Sequence, residues 1–178
     1  YDWIVYTDPP TGEVRLVLPG NARGVTFGRV ASTGGDTAPT YEAANDLRFG
    51  GAKLVSEGGG TWRLKFKDGR TWRFRQIGFV SWLVEQRDAN GNVLRIERND
   101  SGRPTTITAP GRAVSIGIVP GFPVPAGGAP VGELIQVVRD ATGREVRYAY
   151  NADGRLSAVT GPDGGVTSYS YLKPPEPK

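Results

Sequence analysis

The stretch DATGREVRYAYNADGRLSAVTGPDGG, residues 140–165, decides the fold. It sets glycines at Gly143, Gly154 and Gly164, ten or eleven residues apart, with short runs of Val, Tyr, Arg and Leu between them. In EVRYAY, Val146, Tyr148 and Tyr150 line up and Arg147 opposes them. That alternation is the pattern of a half-buried strand, because successive strand side chains point to opposite faces. The glycine groups between the runs are turns. Strand, turn, strand, turn is a chain of antiparallel hairpins.

The same grammar runs outward from there. TWRLKF puts Trp62, Leu64 and Phe66 on one face and Arg63 and Lys65 on the other, and TWRFR sets Trp72 and Phe74 against Arg73 and Arg75. NVLRIE has Leu94 and Ile96 as its apolar set. KDGR (67–70), ANGN (89–92) and ADGR (152–155) carry the Asp-Gly and Asn-Gly dipeptides of tight primed turns, which require positive φ. PTGE (10–13), DSGR (100–103) and ATGR (141–144) are looser versions with Gly in the left-handed position. The expected turn residues are Gly69, Gly91, Gly102, Gly143, Gly154 with Arg155, and Gly164. The expected fold is all-β, an antiparallel meander of roughly fifteen short hairpin-linked strands. Such a strip has two free edges. The one helical candidate, Tyr41–Asn45, is too short to exceed a turn.

The rhythm is also a repeat. RDANGNVLRIERNDSGRPTTITAP (87–110) aligns without a gap on RDATGREVRYAYNADGRLSAVTGP (139–162), with ten of 24 positions identical. A weaker copy lies around FKDGRTWRF.

These residues carry a family resemblance. YNADGRLSAV (150–159) resembles the YD repeat of RHS-repeat proteins: Tyr-Asp, two variable residues, Gly-Arg-Leu, two variable residues, then Val or Ile. Tyr150, Gly154, Arg155, Leu156 and Val159 match, and Asn151 replaces the Asp. RNDSGRPTTI departs further, with Arg98 for the Tyr and Pro104 for the Leu. GTWRLKFKDGRTWRF followed by DANGN is similar to the early part of such proteins, so the likeness spans residues 60–171. The resemblance implies a β-strip of the kind that spirals into hollow shells in Tc-toxin components, polymorphic toxins, type VI effectors and animal teneurins. It implies structural rather than catalytic work, in an exported or surface-displayed bacterial protein. The Asp-Pro-rich motif that supports self-cleavage in many shells is not matched: Asp8-Pro9 stands in an unrelated context, so autoproteolysis is not carried over.

Composition narrows the chemistry. The 178 residues include Gly 26 and Pro 14 but no Cys, His or Met. There is therefore no disulfide, no thiolate and no histidine base or ligand. The absence of Met, with Tyr at position 1, leads us to expect a processed product or the ordered part of a longer chain. The net charge of +4 is spread along the chain, so no nucleic-acid partner is expected. No apolar run approaches the ~18 residues of a membrane helix. No catalytic, cofactor or metal residue is expected. Asp88, Asn90 and Asn92 have the spacing that opens a calcium loop, but Asn99 stands where Glu is needed. Gly58–Gly60 precede a strand and lack Lys-Ser or Lys-Thr, so they form no phosphate loop. Asp68, Asp88, Asp100, Asp140, Asp153 and Asp163 fall in turns or on polar strand faces, where turn aspartates bond their own backbone rather than pairing as acid and base. Lys65, Lys67, Arg70, Arg73 and Arg75 read as a solvated face.

Aromatics supply the one candidate binding set. Trp62, Trp72 and Trp82 recur at ten-residue spacing, and with Tyr148 and Tyr150 they are candidate carbohydrate contacts; the competing reading is inward-facing core. Tyr169 and Tyr171 pose the same choice.

The sequence divides into a weakly repeat-like β region (1–59), hairpin repeats (60–118), a Pro/Gly-rich loop (119–132), YD-like repeats (133–171) and an extended tail (172–178). Expected partners are further repeats or identical subunits joined through β-edges, and glycans. WIVY (3–6) or YSYLKPPEP (169–177) would supply a joining strand, giving a shell wall or a filament.

Overall fold

The computed structural model describes residues 3–18, 21–30, 38–43, 46–119 and 134–172. Among the described residues fifteen strands follow one another, with antiparallel pairing between neighbours inside each of the two units below, as the alternation predicts. The chain forms two compact units, Tyr1–Gly111 and Arg112–Lys178. The first holds β1 (Ile4–Thr7), β2 (Val14–Leu18), β3 (Asn21–Val30), β4 (Thr40–Ala43), β5 (Lys53–Gly58), β6 (Thr61–Lys65), β7 (Thr71–Ile77), β8 (Val80–Arg87), β9 (Val93–Arg98) and β10 (Pro104–Ala109). The second holds β11 (Arg112–Val119), β12 (Leu134–Asp140), β13 (Glu145–Tyr150), β14 (Leu156–Thr160) and β15 (Val166–Ser168). Tyr41–Ala43, expected as a turn, lie in β4, and the helical element nearby is a single 3₁₀ turn at Leu47–Phe49.

The first unit is not an open strip. β1 pairs with β2 along one edge, and along the other with β8, setting Ile4 opposite Trp82 and Val5 opposite Ser81. Strands β1 to β8 therefore close into a barrel, which removes an edge that the sequence reading left free. Within WIVY, Ile4 and Val5 have strand partners on both sides, so the expected free joining edge is taken up there. The closure also ties Ile4 and Val5 to Trp82 and Ser81, and residues 1–111 form one compact unit. The interior is packed rather than hollow: Leu16, Leu54, Leu64, Phe74 and Leu83 are fully buried. Rings crowd one end, with Trp3 4.8 Å from Trp72 and Phe66 5.1 Å from Trp72. The outward face carries cross-strand charges, where Glu57 lies 2.6 Å from Arg63 and 3.4 Å from Arg73.

The two matched segments take the same pairings. Glu85–Arg95, Gln86–Leu94 and Arg87–Val93 in β8/β9 recur as Val137–Arg147, Val138–Val146 and Arg139–Glu145 in β12/β13. Ile96–Ile107 recurs as Tyr148–Val159. The irregularities recur as well, leaving Thr105 and Ser157 as bulges in β10 and β14, and Val84 and Gln136 as bulges in β8 and β12. A repeat that reproduces its bulges is a repeat of structure, not of composition alone. In the second unit none of the described side chains is fully buried, and Ile135, Tyr169 and Tyr171 are exposed. Most of the Pro/Gly-rich loop (120–132) and of the tail (173–178) lie outside the described residues.

Candidate functional site

The recurring site is a strand end with its turn. Four turns share one geometry. Asp88, Asn99, Asp140 and Asn151 each donate a backbone N–H to the carbonyl four residues on and accept one from the Gly three residues on. Each side-chain Oδ1 also accepts two backbone N–H groups, two and four residues ahead: Asn90 and Asn92, Ser101 and Arg103, Thr142 and Arg144, Asp153 and Arg155. Asn and Asp offer the same oxygen, so Asn151 in place of the family Asp leaves the turn intact. Phe66 and Gly161 open the same backbone turn without a side-chain acceptor, and Asp68 and Asp163 supply one from inside the loop.

All six turns place a glycine at positive φ: Gly69 at 87°, Gly91 at 87°, Gly102 at 80°, Gly143 at 86°, Gly154 at 73° and Gly164 at 81°. No non-glycine residue among those described has positive φ. The Asp-Gly and Asn-Gly links are therefore not the primed two-residue turns expected at KDGR, ANGN and ADGR. They are three-residue loops with one left-handed glycine, the form expected only for the looser set. True two-residue loops occur at Gly59-Gly60 and Gly78-Phe79.

These turns organise the charges. Asp140 is held well below the usual carboxylate range, chiefly by the Thr142 hydroxyl and then by Arg144. Asp88 is lowered by the Asn92 side-chain amide, and Asp68 by the Arg70 backbone N–H. Glu145 is lowered by its bond from Arg139 and also pairs with Arg147. Each of these four carboxylates is engaged by a donor from its own turn or from a neighbouring strand. A hollow of about 450 Å³ between the Gly143 and Gly164 turns is lined by Arg144, Glu145, Arg147 and Thr160 and is open to solvent. No group of three metal-ligating side chains occurs among the described residues.

Three side chains close the gap between two strands, and two of them, Arg98 and Tyr150, stand just before the Asn99 and Asn151 turns. Tyr150 donates its hydroxyl to the Ile135 carbonyl at 2.7 Å, and Tyr171 to the Leu156 carbonyl at 2.7 Å. Arg98 donates Nε to the Leu83 carbonyl at 2.9 Å. In all three, donor and acceptor are fifteen residues apart. Each acceptor immediately precedes a bulge and lies two residues beyond the last pair of the ladder that the clamp spans, Glu85–Arg95, Val137–Arg147 and Ala158–Ser168. The Tyr of the YD pattern is thus a clamp at the end of a ladder. Burial, and then the neighbouring Tyr148, pushes the Tyr150 phenol above its ordinary range.

The aromatic candidates are not brought together. Trp62 is buried at 9 % exposure and packs 5.6 Å from Tyr41. Trp72 belongs to the ring cluster at the barrel end. Trp82 lies opposite Arg75 on the outward row, beneath the Arg98 guanidinium, 5.1 Å away. Ten-residue spacing failed to put it on the same face because the β7–β8 loop has two residues while the β6–β7 loop is longer. Tyr148 and Tyr150 share a face of β13, and Tyr169 and Tyr171 repeat that spacing 21 residues later. The clamp partners Leu83, Ile135 and Leu156 were missed from sequence, although their common fifteen-residue offset is written there.

Comparison with known families agrees with this geometry. The family model of the RHS repeat matches residues 130–166 and 150–171, which together cover 42 of the 178 residues. The likeness read from YNADGRLSAV therefore holds over that segment, a structural repeat. No curated protein matches the chain.

Proposed function

We propose that this chain is a non-enzymatic structural module whose work is to build surface, as part of an extracellular or toxin-encapsulating β-shell of an exported or surface-displayed bacterial protein. The observation that carries the reading is the agreement of the two matched segments in register and bulge position, 52 residues apart. A ribbon that repeats its irregularities is built for shape, and the carboxylates of Asp68, Asp88, Asp140 and Asp163 each hold a turn of it. Further repeats or identical subunits would join through the edge of β15, which pairs with β14 alone among the described residues. A filament is the other assembly of this class, but it needs a second joining edge, and β1 does not offer one. Electron microscopy with light scattering on the purified chain tests the choice. Discrete small particles agree with a shell segment, regular filaments with self-assembly, and steady catalytic turnover through repurification would end the structural reading.

A second reading, glycan recognition, has one observation in its favour. Tyr148, Tyr150, Tyr169 and Tyr171 form two matching pairs, and Tyr169 and Tyr171 are 46 % and 47 % exposed. A glycan array with Tyr148→Ala and Tyr169→Ala distinguishes it. Binding that disappears in both, with unchanged circular dichroism, establishes it; no binding by the parent chain removes it.

A further inference from the structure

We propose that the residue at the clamp position sets how many neighbours the preceding strand can carry, and that Arg98 is what allows β8 to carry two on one edge and so closes the barrel. β8 spends its first edge on β7 along its whole length, from Thr71–Arg87 to Ile77–Val80. Its second edge is divided. Glu85 to Arg87 pair with β9, and Ser81 and Trp82 pair with β1. Leu83 is the crotch of this fork. Its N–H donates to the Trp3 carbonyl at 3.0 Å, toward β1, and its carbonyl accepts from Arg98 Nε, toward β9. In a strand both groups of one residue point to the same edge, so two different segments satisfy the two halves of Leu83.

An arginine suits that position better than a tyrosine. A guanidinium presents several donors in a fixed plane, whereas a phenol has one. Arg98 Nη1 donates to the Gly102 carbonyl at 2.6 Å, so one side chain joins β8, the end of β9 and the turn that follows. The residue is buried at 9 % exposure, and the Trp82 indole covers the guanidinium. Gly102 makes room for that indole, because a Cβ there would lie 2.4 Å from the ring.

The other copies serve as internal comparisons. Where the clamp is Tyr150 or Tyr171, the preceding strand has two neighbours among the described residues: β12 has β11 and β13, and β14 has β13 and β15. The Arg–aromatic pairing around the clamp is also inverted between copies. Arg98 meets Trp82 sixteen residues back, while Tyr171 meets Arg155 sixteen residues back, at 5.4 Å. The stack is kept and the donors are exchanged, which leaves the two-carbonyl bridge to the copy that also holds β1.

Amide hydrogen exchange on the whole chain tests this, using Arg98→Tyr and Arg98→Lys. In Arg98→Tyr the phenol keeps a bond to Leu83 but loses the one to Gly102. The Leu83 amide should then exchange at least ten-fold faster, while amides of the β6–β7 ladder keep their protection. Arg98→Lys retains the charge but loses the planar fork, and a several-fold loss at Leu83 is expected even if Arg98→Tyr fails to fold. Unchanged Leu83 protection in Arg98→Lys, or an equal loss throughout the barrel in both variants, overturns the proposal.

Discussion

Gly102 offers the sharpest test of how the repeat turn is built. Gly91 and Gly102 sit at the same position of successive turns, at φ of 87° and 80°. An alanine at either pays the left-handed penalty of about 1–2 kcal/mol, offset in part by about 0.4–1 kcal/mol from the stiffer unfolded chain. The surroundings differ. A Cβ on Gly91 meets nothing within 4 Å, whereas one on Gly102 lies 2.4 Å from Trp82 Cε2 and 2.5 Å from Nε1. Trp82 cannot yield freely, since the Arg98 guanidinium is stacked on it. Overpacking of this kind costs about 1–3 kcal/mol, so Gly102→Ala should be less stable than Gly91→Ala by that amount. All four tryptophans, Trp3, Trp62, Trp72 and Trp82, belong to the first unit, so urea unfolding followed by tryptophan fluorescence reads the barrel. The extra cost should shrink when Gly102→Ala is made in a Trp82→Ala background. Equal midpoints for the two single variants, or an extra cost that survives without the indole, would refute the reasoning.

Three further outcomes are expected. Leu64→Ala should destabilise the barrel by about 2–5 kcal/mol in the same assay, because the side chain is fully buried, whereas Val166→Ala, 62 % exposed, should stay within about 0.5 kcal/mol by circular dichroism. The fold lowers the carboxyl pKa values of Asp68, Asp88 and Asp140, so their stabilisation is present above the unfolded carboxylate value of about 4 and is lost as pH falls through the lowered folded values. Thermal unfolding should therefore be flat above about pH 5 and weaken in acid, and Asp88→Asn should reduce that acid dependence while folding normally at neutral pH, as Asn99 and Asn151 do in the same role. Tyr150 should ionise above the ordinary tyrosine range, its neutral form being favoured by the fold. Absorbance titration at alkaline pH should show that Tyr150→Phe removes a late component, and removal of an early one would contradict the clamp.

Local features were legible in the sequence, and the non-local contact was not. Val146, Tyr148 and Tyr150 alternate against Arg147 because the period of a strand is a property of the backbone. Turn position was legible for the same reason: one residue in each loop must be left-handed, and glycine marks it. The turn type was hidden because Asp-Gly suits a two-residue primed loop and a three-residue loop alike. Only the pairing across the strands, Asn151 to Arg155 and Gly154 to Asn151, selects the second. The face of Trp82 was hidden because a loop-length difference changes the face that a fixed spacing selects, and loop lengths are outcomes of pairing. Closure of the barrel was the least visible of all. Its seam is two residue pairs, Ile4–Trp82 and Val5–Ser81, and WIVY has no feature that distinguishes a strand with two neighbours from one with a free edge. The trace of closure lies instead in the repeat itself, where Arg98 stands in a tyrosine position. Of the departures from the YD pattern, the arginine at 98 coincides with the divided edge of β8, where one side chain donates to two carbonyls rather than one.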